Sequence, residues 1–260
     1  MEQLSIVKAG GNLLDQPHLR DQLLDAFAQS SEKKILVHGG GKRASELLKK
    51  LGIPVQYHEG RRITDDETLD VVTMVYAGSL NKQLCAGLQA RNCNALGMSG
   101  CDMNIIQAEK RASREIQYGW AGDIQSIDVG SLKWLLDKNI CPVINPITHD
   151  GKGQLLNTNA DTIASSLAVA LSQKYKVKLH FCFEWDGVLE NIDLPDSLIP
   201  VITPKIYEGL KRNQIISDGM IPKLENAFNA LSKGVYEITI GHPQHFLPDA
   251  ICTRILNPTD

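Results

Sequence analysis

The residues best suited to chemistry fall in four short segments. Lys8-Ala9-Gly10-Gly11-Asn12 follows an apolar, β-rich run, so a lysine stands beside two glycines that let backbone amides approach a ligand closely. His38-Gly39-Gly40-Gly41-Lys42-Arg43 lies between the apolar run 35–37 and a helical pattern that begins at Ala44. Three glycines at such a turn expose amides at the positive end of a helix, which suits an anion. Lys42 and Arg43 then fall in the first helical turn, where the dipole opposes them unless a bound anion compensates. In Ser217-Asp218-Gly219-Met220-Ile221-Pro222-Lys223, Pro222 suits a first helical position and puts Lys223 in the first turn of the helical pattern 224–231. A phosphate there would make an unfavourable dipole interaction favourable. Asn157, Asn159 and Asp161 open the helix 163–171, either as caps or to orient a ligand and two lysines.

Each segment by itself also reads as ordinary structure: a Gly-Gly turn, solvated basic side chains, an exposed lysine, a capped helix. No G-x-x-x-x-G-K-[ST] or G-x-G-x-x-G pattern is present, so neither a P-loop nor a dinucleotide fingerprint explains the glycines. His38 reads as a packed, hydrogen-bonded histidine rather than a metal ligand.

The elements that must position these segments alternate in type. β-rich runs at 4–7, 34–37, 95–97, 141–144, 177–183 and 236–240 are separated by helical patterns at 19–27, 44–51, 66–90 and 160–171. That alternation predicts an α/β protein with a mainly parallel sheet, because parallel neighbours need helical crossovers. Residues 55–64 and 105–127 look hairpin-like and would form a flap beside the carboxyl ends of the main strands, where open α/β sheets bind ligands. The polar stretch 171–178 reads as a seam between lobes or as a plain helix-to-strand loop.

Composition narrows the class. With 260 residues, 43% hydrophobic and 22% charged, the chain is long enough for a proper core and is not disordered or collagenous. A net charge of −3 gives no global attraction to nucleic acid or to an anionic membrane. The six cysteines form no C-x-x-C pair and read as free thiols of a reducing, cytoplasmic compartment. The N-terminus shows no signal-peptide pattern, and no segment approaches the ~20 apolar residues of a membrane span.

Taken together, Lys8-x-Gly10-Gly11, His38-Gly39-Gly40-Gly41, Gly60-Arg61-Arg62-Ile63-Thr64, Asn157-x-Asn159-x-Asp161 and Asp218-Gly219-Met220-x-x-Lys223 resemble the N-acetylglutamate kinases of the amino-acid kinase family, in order and spacing. The resemblance implies a three-layer α/β/α sandwich with a central, mainly parallel sheet. It also implies an N-terminal lobe (1–172) for the acylated amino acid and for dimerisation, and a C-terminal lobe (173–260) for ATP. The implied reaction is ATP-dependent phosphorylation of the γ-carboxylate of N-acetyl-L-glutamate, with Mg²⁺ accompanying the nucleotide and no protein metal ligand named.

By the same resemblance, Lys8 and Lys223 flank the transferring phosphoryl group and Asp161 holds the two ammonium groups. Gly40, Gly41, Arg62 and Asn157 bind the acyl-amino-acid, with Arg62 on its α-carboxylate. Gly10, Gly11, Glu184, Gly187, Ser217 and Gly219 serve the nucleotide. Three places depart from the family pattern. Glu184 takes the place of an aspartate, Cys101 that of a lysine, and Arg61 that of an apolar residue, which would suit a more anionic acyl group such as succinyl. The alternatives are thus the same chemistry on N-succinylglutamate, or a non-catalytic sensor of this fold. The chain starts close to its first strand, without the N-terminal helix of arginine-inhibited hexameric members, so a homodimer with weak or no arginine feedback is expected.

Overall fold

In the computed structural model, every residue is described except 59, 114, 192, 195, 217–219, 248–249 and 258–260, together with the side chain at 222. In chain order, β1 (Gln3–Ala9) is followed by α1 (Gly11–Asp15), α2 (Pro17–Gln29), β2 (Lys33–His38) and α3 (Gly41–Lys50). A short hairpin of β3 (Tyr57–His58) and β4 (Arg61–Arg62) leads to α4 (Asp66–Thr73), a π-helical segment (Met74–Leu80) and α5 (Asn81–Gln89). Next come β5 (Ala95–Met98), β6 (Ile106–Lys110), β7 (Gly122–Ile127), α6 (Val129–Asp137), β8 (Cys141–Ile144), β9 (Ile147–His149), β10 (Leu155–Asn157) and α7 (Ala160–Leu171). The last part holds β11 (Lys176–Cys182), β12 (Val201–Ile202), α8 (Pro204–Arg212), α9 (Ile221–Ser232), β13 (Glu237–Gly241) and β14 (Thr253–Ile255).

The chain forms two units, one of Met1–Glu32 with Ala164–Asp260 and one of Lys33–Ile163. In the first unit the strands lie in the order β12, β14, β13, β11, β1. β1 pairs parallel with β11 from Gln3↔Lys176 to Ala9↔Cys182, and β11 pairs parallel with β13. β1 is buried at every residue after Gln3, and β13 at every residue after Glu237, as strands covered on both faces must be. α9 buries Leu224, Ala227 and Ala230 and enters β13 through a four-residue turn. It therefore runs back along the sheet, and its first turn lies toward the carboxyl ends of β1, β11 and β13.

In the second unit β2, β8 and β5 pair in parallel, with Leu36↔Val143 and Gly97↔Val143 in register. A four-stranded sheet in the order β10, β9, β6, β7 and the β3–β4 hairpin complete it. Its core gathers Ala44 and Leu48 of α3, Leu69, Val71 and Val72 of α4, Val75 and Tyr76 of the π-helical segment, and Ile147 of β9.

The mainly parallel α/β arrangement is the one that the alternation predicts, and both expected hairpins form, β3–β4 and β6–β7. The grouping of the chain differs from a single division at 172/173. Residues 1–32 join the unit that holds the C-terminal part, because all seven residues of β1 pair with β11, more than 160 positions later. Among the described residues no helix is long and apolar enough to cross a membrane.

The β11–β13 pair encloses a histidine network whose protonation can be deduced. His245 Nδ1 lies 2.6 Å from the His242 carbonyl, an obligatory acceptor, so Nδ1 carries the proton and Nε2 accepts from Thr239 Oγ1 at 2.9 Å. Thr239 Oγ1 must then accept from His180 Nδ1 at 2.7 Å. Both imidazoles are neutral. Burial holds His180 well below the usual histidine range and His245 at about 4. Below about pH 6.5 the unfolded chain takes up protons that the folded chain excludes, so stability falls as pH drops and the loss levels off below the folded values. The unfolding free energy is expected to fall between pH 7 and 5 by on the order of 1–2 kcal/mol for each such histidine, and the denaturant midpoint with it. A midpoint unchanged over that range would contradict the neutral, buried assignment.

Candidate functional site

In the second unit, β2 ends at His38 and α3 opens at Gly41, so the three glycines form the turn between them. The N-cap is Gly40, which offers no side-chain acceptor, and the first-turn amides of α3 have no intrahelical partner. A side chain at Gly40 would meet Tyr76 Cδ1 at 2.9 Å and Leu80 Cδ2 at 3.0 Å, so the π-helical segment packs directly on the turn. Lys42 is exposed, whereas Arg43 donates to Gln83 Oε1 at 3.0 Å.

Arg62 of β4 is buried against this turn, 6% exposed. Its Nη2 donates to the Gly41 carbonyl and to Ser45 Oγ, both at 2.8 Å, and to the Tyr57 hydroxyl, while its guanidinium stacks 4.7 Å from the Tyr57 ring centre. Tyr57 is the direct cross-strand partner of Arg62. The other fork, Nη1, is buried and has no acceptor among the described residues. A buried cationic donor without an acceptor costs on the order of 1–3 kcal/mol or more. A planar carboxylate is the group that a free guanidinium fork fits.

Asn157, at the end of β10, is tied to the same strand. Its Nδ2 donates to Thr64 Oγ1 at 3.0 Å, and Thr64 Oγ1 donates to the Arg62 carbonyl at 3.0 Å. Gly119, at φ +64°, passes so close to the Thr64 carbonyl that only glycine fits. Beyond Asn157, Thr158 is anchored by Thr148 Oγ1 at 2.7 Å, and Asn159 Oδ1 accepts from the amides of Asp161 at 2.8 Å and Thr162 at 3.1 Å. Asn159 is therefore the cap of α7, and the cap puts the Asp161 carboxylate in its first turn. Arg61 faces the other side of β4, since successive strand residues alternate. It lies 3.8 Å from Asp123, which Arg111 approaches to 2.7 Å.

In the first unit, Lys8 stands one residue before the carboxyl end of β1, 8% exposed and in register with Phe181. The Gly10 amide is already used, donating to the Cys182 carbonyl at 2.9 Å, so of the glycine pair Gly11, in the first turn of α1, offers the amide without an intrahelical acceptor. Glu184 Oε1 accepts from Asn12 Nδ2 at 3.1 Å. A cavity of about 540 Å³ lies beside it, lined among others by Phe183, Trp185, Gly187, Val188, Ile215, Ile216 and Met220. Glu184 is not among the lining residues. Gly187 admits no side chain, because an added Cβ would reach Thr253 Oγ1 at 2.5 Å, the group that holds the Val188 amide at 2.8 Å. Lys223 is half-buried in the first turn of α9. Ser217, Asp218 and Gly219 lie outside the described residues.

Sequence reading missed Tyr57 and Ser45, which hold Arg62, and quoted Thr64 as part of a motif without the role it has in tying Asn157 to Arg62. Tyr57 had a usable signal, since a hairpin turning at Gly60 sets it opposite Arg62. Ser45, one turn into a helix, had none.

Comparison with known proteins gives the family. The profile of the Amino acid kinase family matches residues 3–242. Acetylglutamate kinase of Cytophaga hutchinsonii is 50% identical over 241 residues, covering 92% of this chain and 91% of the relative. The protein of the same name from Bacteroides thetaiotaomicron is 49% identical, covering 92% and 93%. The crystal structure of N-acetylglutamate synthase from Neisseria gonorrhoeae, complexed with coenzyme A and N-acetyl-glutamate, shares the fold at 21% identity. Its TM-score is 0.82, with 98% of this chain and 59% of that one covered. With the profile spanning nearly the whole sequence and about half of the aligned positions shared with such relatives, this chain belongs to the amino acid kinase family.

Proposed function

We propose that this protein transfers the γ-phosphoryl group of ATP to the side-chain carboxylate of N-acetyl-L-glutamate, giving N-acetyl-L-glutamyl 5-phosphate for arginine biosynthesis. Relatives named acetylglutamate kinase, similar over nine-tenths of both chains, support the reaction. The observation that carries the acceptor is Arg62, a buried guanidinium with one fork engaged and the other lacking a protein acceptor, suited to an amino-acid α-carboxylate. Asn157, held through Thr64 to the same strand, contacts the same substrate.

The attacking carboxylate, with a pKa near 4.3, is ionised at neutral pH, so no general base is required. Positioning and positive charge around the phosphoryl group remain to be supplied. In this reading the Lys8 and Lys223 ammonium groups and the amides of Gly11, Gly40 and Gly41 supply them, and Asp161 holds the lysines. The cavity between Trp185, Val188 and Ile215 takes the adenine, with Gly187 shaping its wall. Among the described residues no group of three or more His, Cys, Asp or Glu is placed to hold a metal. Mg²⁺ would accompany the nucleotide's phosphates. A cytoplasmic homodimer is part of the proposal.

Arg61 bears on the acyl group. Because it faces away from Arg62 and leans toward Asp123, the acetyl substrate is expected to be preferred over succinyl. The test is an ADP-release assay with hydroxylamine trapping of the acyl phosphate, run on N-acetyl-, N-succinyl- and unacylated glutamate. Hydroxamate from the acetyl compound is expected. ADP release without hydroxamate, or binding without either, would overturn the assignment. In Gly187→Ala, the added methyl meets Thr253 and Leu198, so the KM for ATP is expected to rise about tenfold, with the acceptor KM unchanged. An unchanged KM for ATP would remove that cavity from the nucleotide's path.

A further inference from the structure

A buried relay lies behind the glycine turn. His38 and Asn81 are both fully buried. Asn81 Nδ2 lies 2.8 Å from the Val143 carbonyl of β8 and 3.0 Å from His38 Nε2. The carbonyl can only accept, so the nitrogen of the Asn81 amide must face it, and the same nitrogen's second proton goes to His38 Nε2. Nε2 is therefore the bare acceptor, and the imidazole proton sits on Nδ1, which donates to the Gly39 carbonyl at 2.8 Å. In a trans peptide the carbonyl and the following amide point in opposite directions. Holding the Gly39 oxygen against His38 consequently aims the Gly40 amide away from the imidazole.

Gly97 of β5 completes the relay by what it lacks: an added Cβ would overlap Asn81 Oδ1 and come 2.8 Å from Cys85 Sγ. The titratable groups around the relay are Lys82, with Nζ 3.5 Å from Asn81 Oδ1, and the Cys85 thiol, 4.0 Å from it. The Tyr76 phenol, raised above its usual range by burial, packs on Gly40. Burial lowers His38 to about 4, in keeping with a neutral ring.

We propose that Asn81 is a positioning residue for phosphoryl transfer: through His38 it fixes the Gly39–Gly40 peptide and so aims the Gly40 amide at the acceptor and the transferring group. The functional half of this inference rests on the reading of Gly40 and Gly41 as acceptor-side groups. The relay itself is tested independently by long-range ¹H–¹⁵N correlation spectra of the unmodified protein. The expected result is a His38 ring protonated at Nδ1 and not titrating between pH 5.5 and 8. A ring protonated at Nε2, or titrating near 6.5, would overturn it.

For the functional half, Asn81→Ala and Gly97→Ala are expected to lower kcat/KM for the acyl-amino-acid about tenfold or more, leaving the KM for ATP unchanged. Asn81→Asp gives a readout that a packing role would not move. Its carboxylate favours a doubly protonated His38, which still donates to Gly39. As pH rises the remaining proton moves to Nε2, toward the carboxylate, and the Gly39 contact is lost. Acceptor kcat/KM of Asn81→Asp is expected to fall about tenfold from pH 6 to 8.5 relative to the parent. A profile parallel to the parent's would overturn the positioning role.

Discussion

Lys8→Ala is expected to lower kcat by about two to three orders of magnitude while both Michaelis constants stay within a few-fold, the effect of removing one preorganised electrostatic group from an anionic transition state. Lys8 is suited to that work by its place. It is the penultimate residue of a strand paired along its whole length with β11, and it is nearly inaccessible to solvent, so its cation acts in a medium that screens it poorly. Lys223 occupies the first turn of α9, which the short turn into β13 orients toward the carboxyl ends of the same strands, and Lys223→Ala is expected to behave alike. Steady-state kinetics on variants with unchanged circular dichroism check both. A near-normal kcat in either would remove that lysine from the mechanism.

Arg62→Lys is expected to raise the KM for the acyl-amino-acid about a hundredfold and to leave the KM for ATP unchanged, even though the charge is kept. Truncating one partner of a buried, hydrogen-bonded charge pair costs about 2–5 kcal/mol, and a lysine cannot offer two parallel donors to a carboxylate. The substitution also removes the donors that tie Gly41 and Ser45 of α3 to β4, so some loss of stability accompanies it. Tyr57→Phe separates the two effects. It keeps the fork and the stacked ring while removing one acceptor, and its acceptor KM is expected to rise no more than several-fold. A hundredfold rise in Tyr57→Phe, or none in Arg62→Lys, would show that Arg62 does not take the carboxylate.

Much of this was legible in the sequence because the signals were local. The apolar runs became β1, β2, β5, β8, β11 and β13 within a residue or two, since strands such as β1 and β13, covered on both faces, need uninterrupted apolar stretches. The glycine turn before α3 and the cap at Asn159 follow from backbone chemistry that only a few residue types satisfy. What escaped was non-local or had no compositional mark. The pairing of β1 with β11 groups the first 32 residues with the C-terminal part of the chain, and no window of sequence contains it. The π-helical turn at Met74–Leu80 keeps an amphipathic pattern too close to that of an α-helix to be told apart at this length, yet it is what brings Tyr76 and Leu80 onto Gly40. The use of the Gly10 amide by the Cys182 carbonyl and the bond from Asn12 to Glu184 beside the cavity are likewise contacts between distant parts of the chain.

Which oxygen attacks phosphorus decides the reaction, and an isotope answers that directly. N-acetyl-L-glutamate carrying ¹⁸O in its side-chain carboxylate is incubated with enzyme, MgATP and hydroxylamine, and the released inorganic phosphate is weighed by mass spectrometry. Hydroxylamine attacks the acyl carbon and expels phosphate together with the bridging oxygen, so phosphate bearing one ¹⁸O is expected, in amount equal to the ADP and hydroxamate formed. Phosphate without the label would mean that water attacked ATP, and that this site does not phosphorylate the carboxylate.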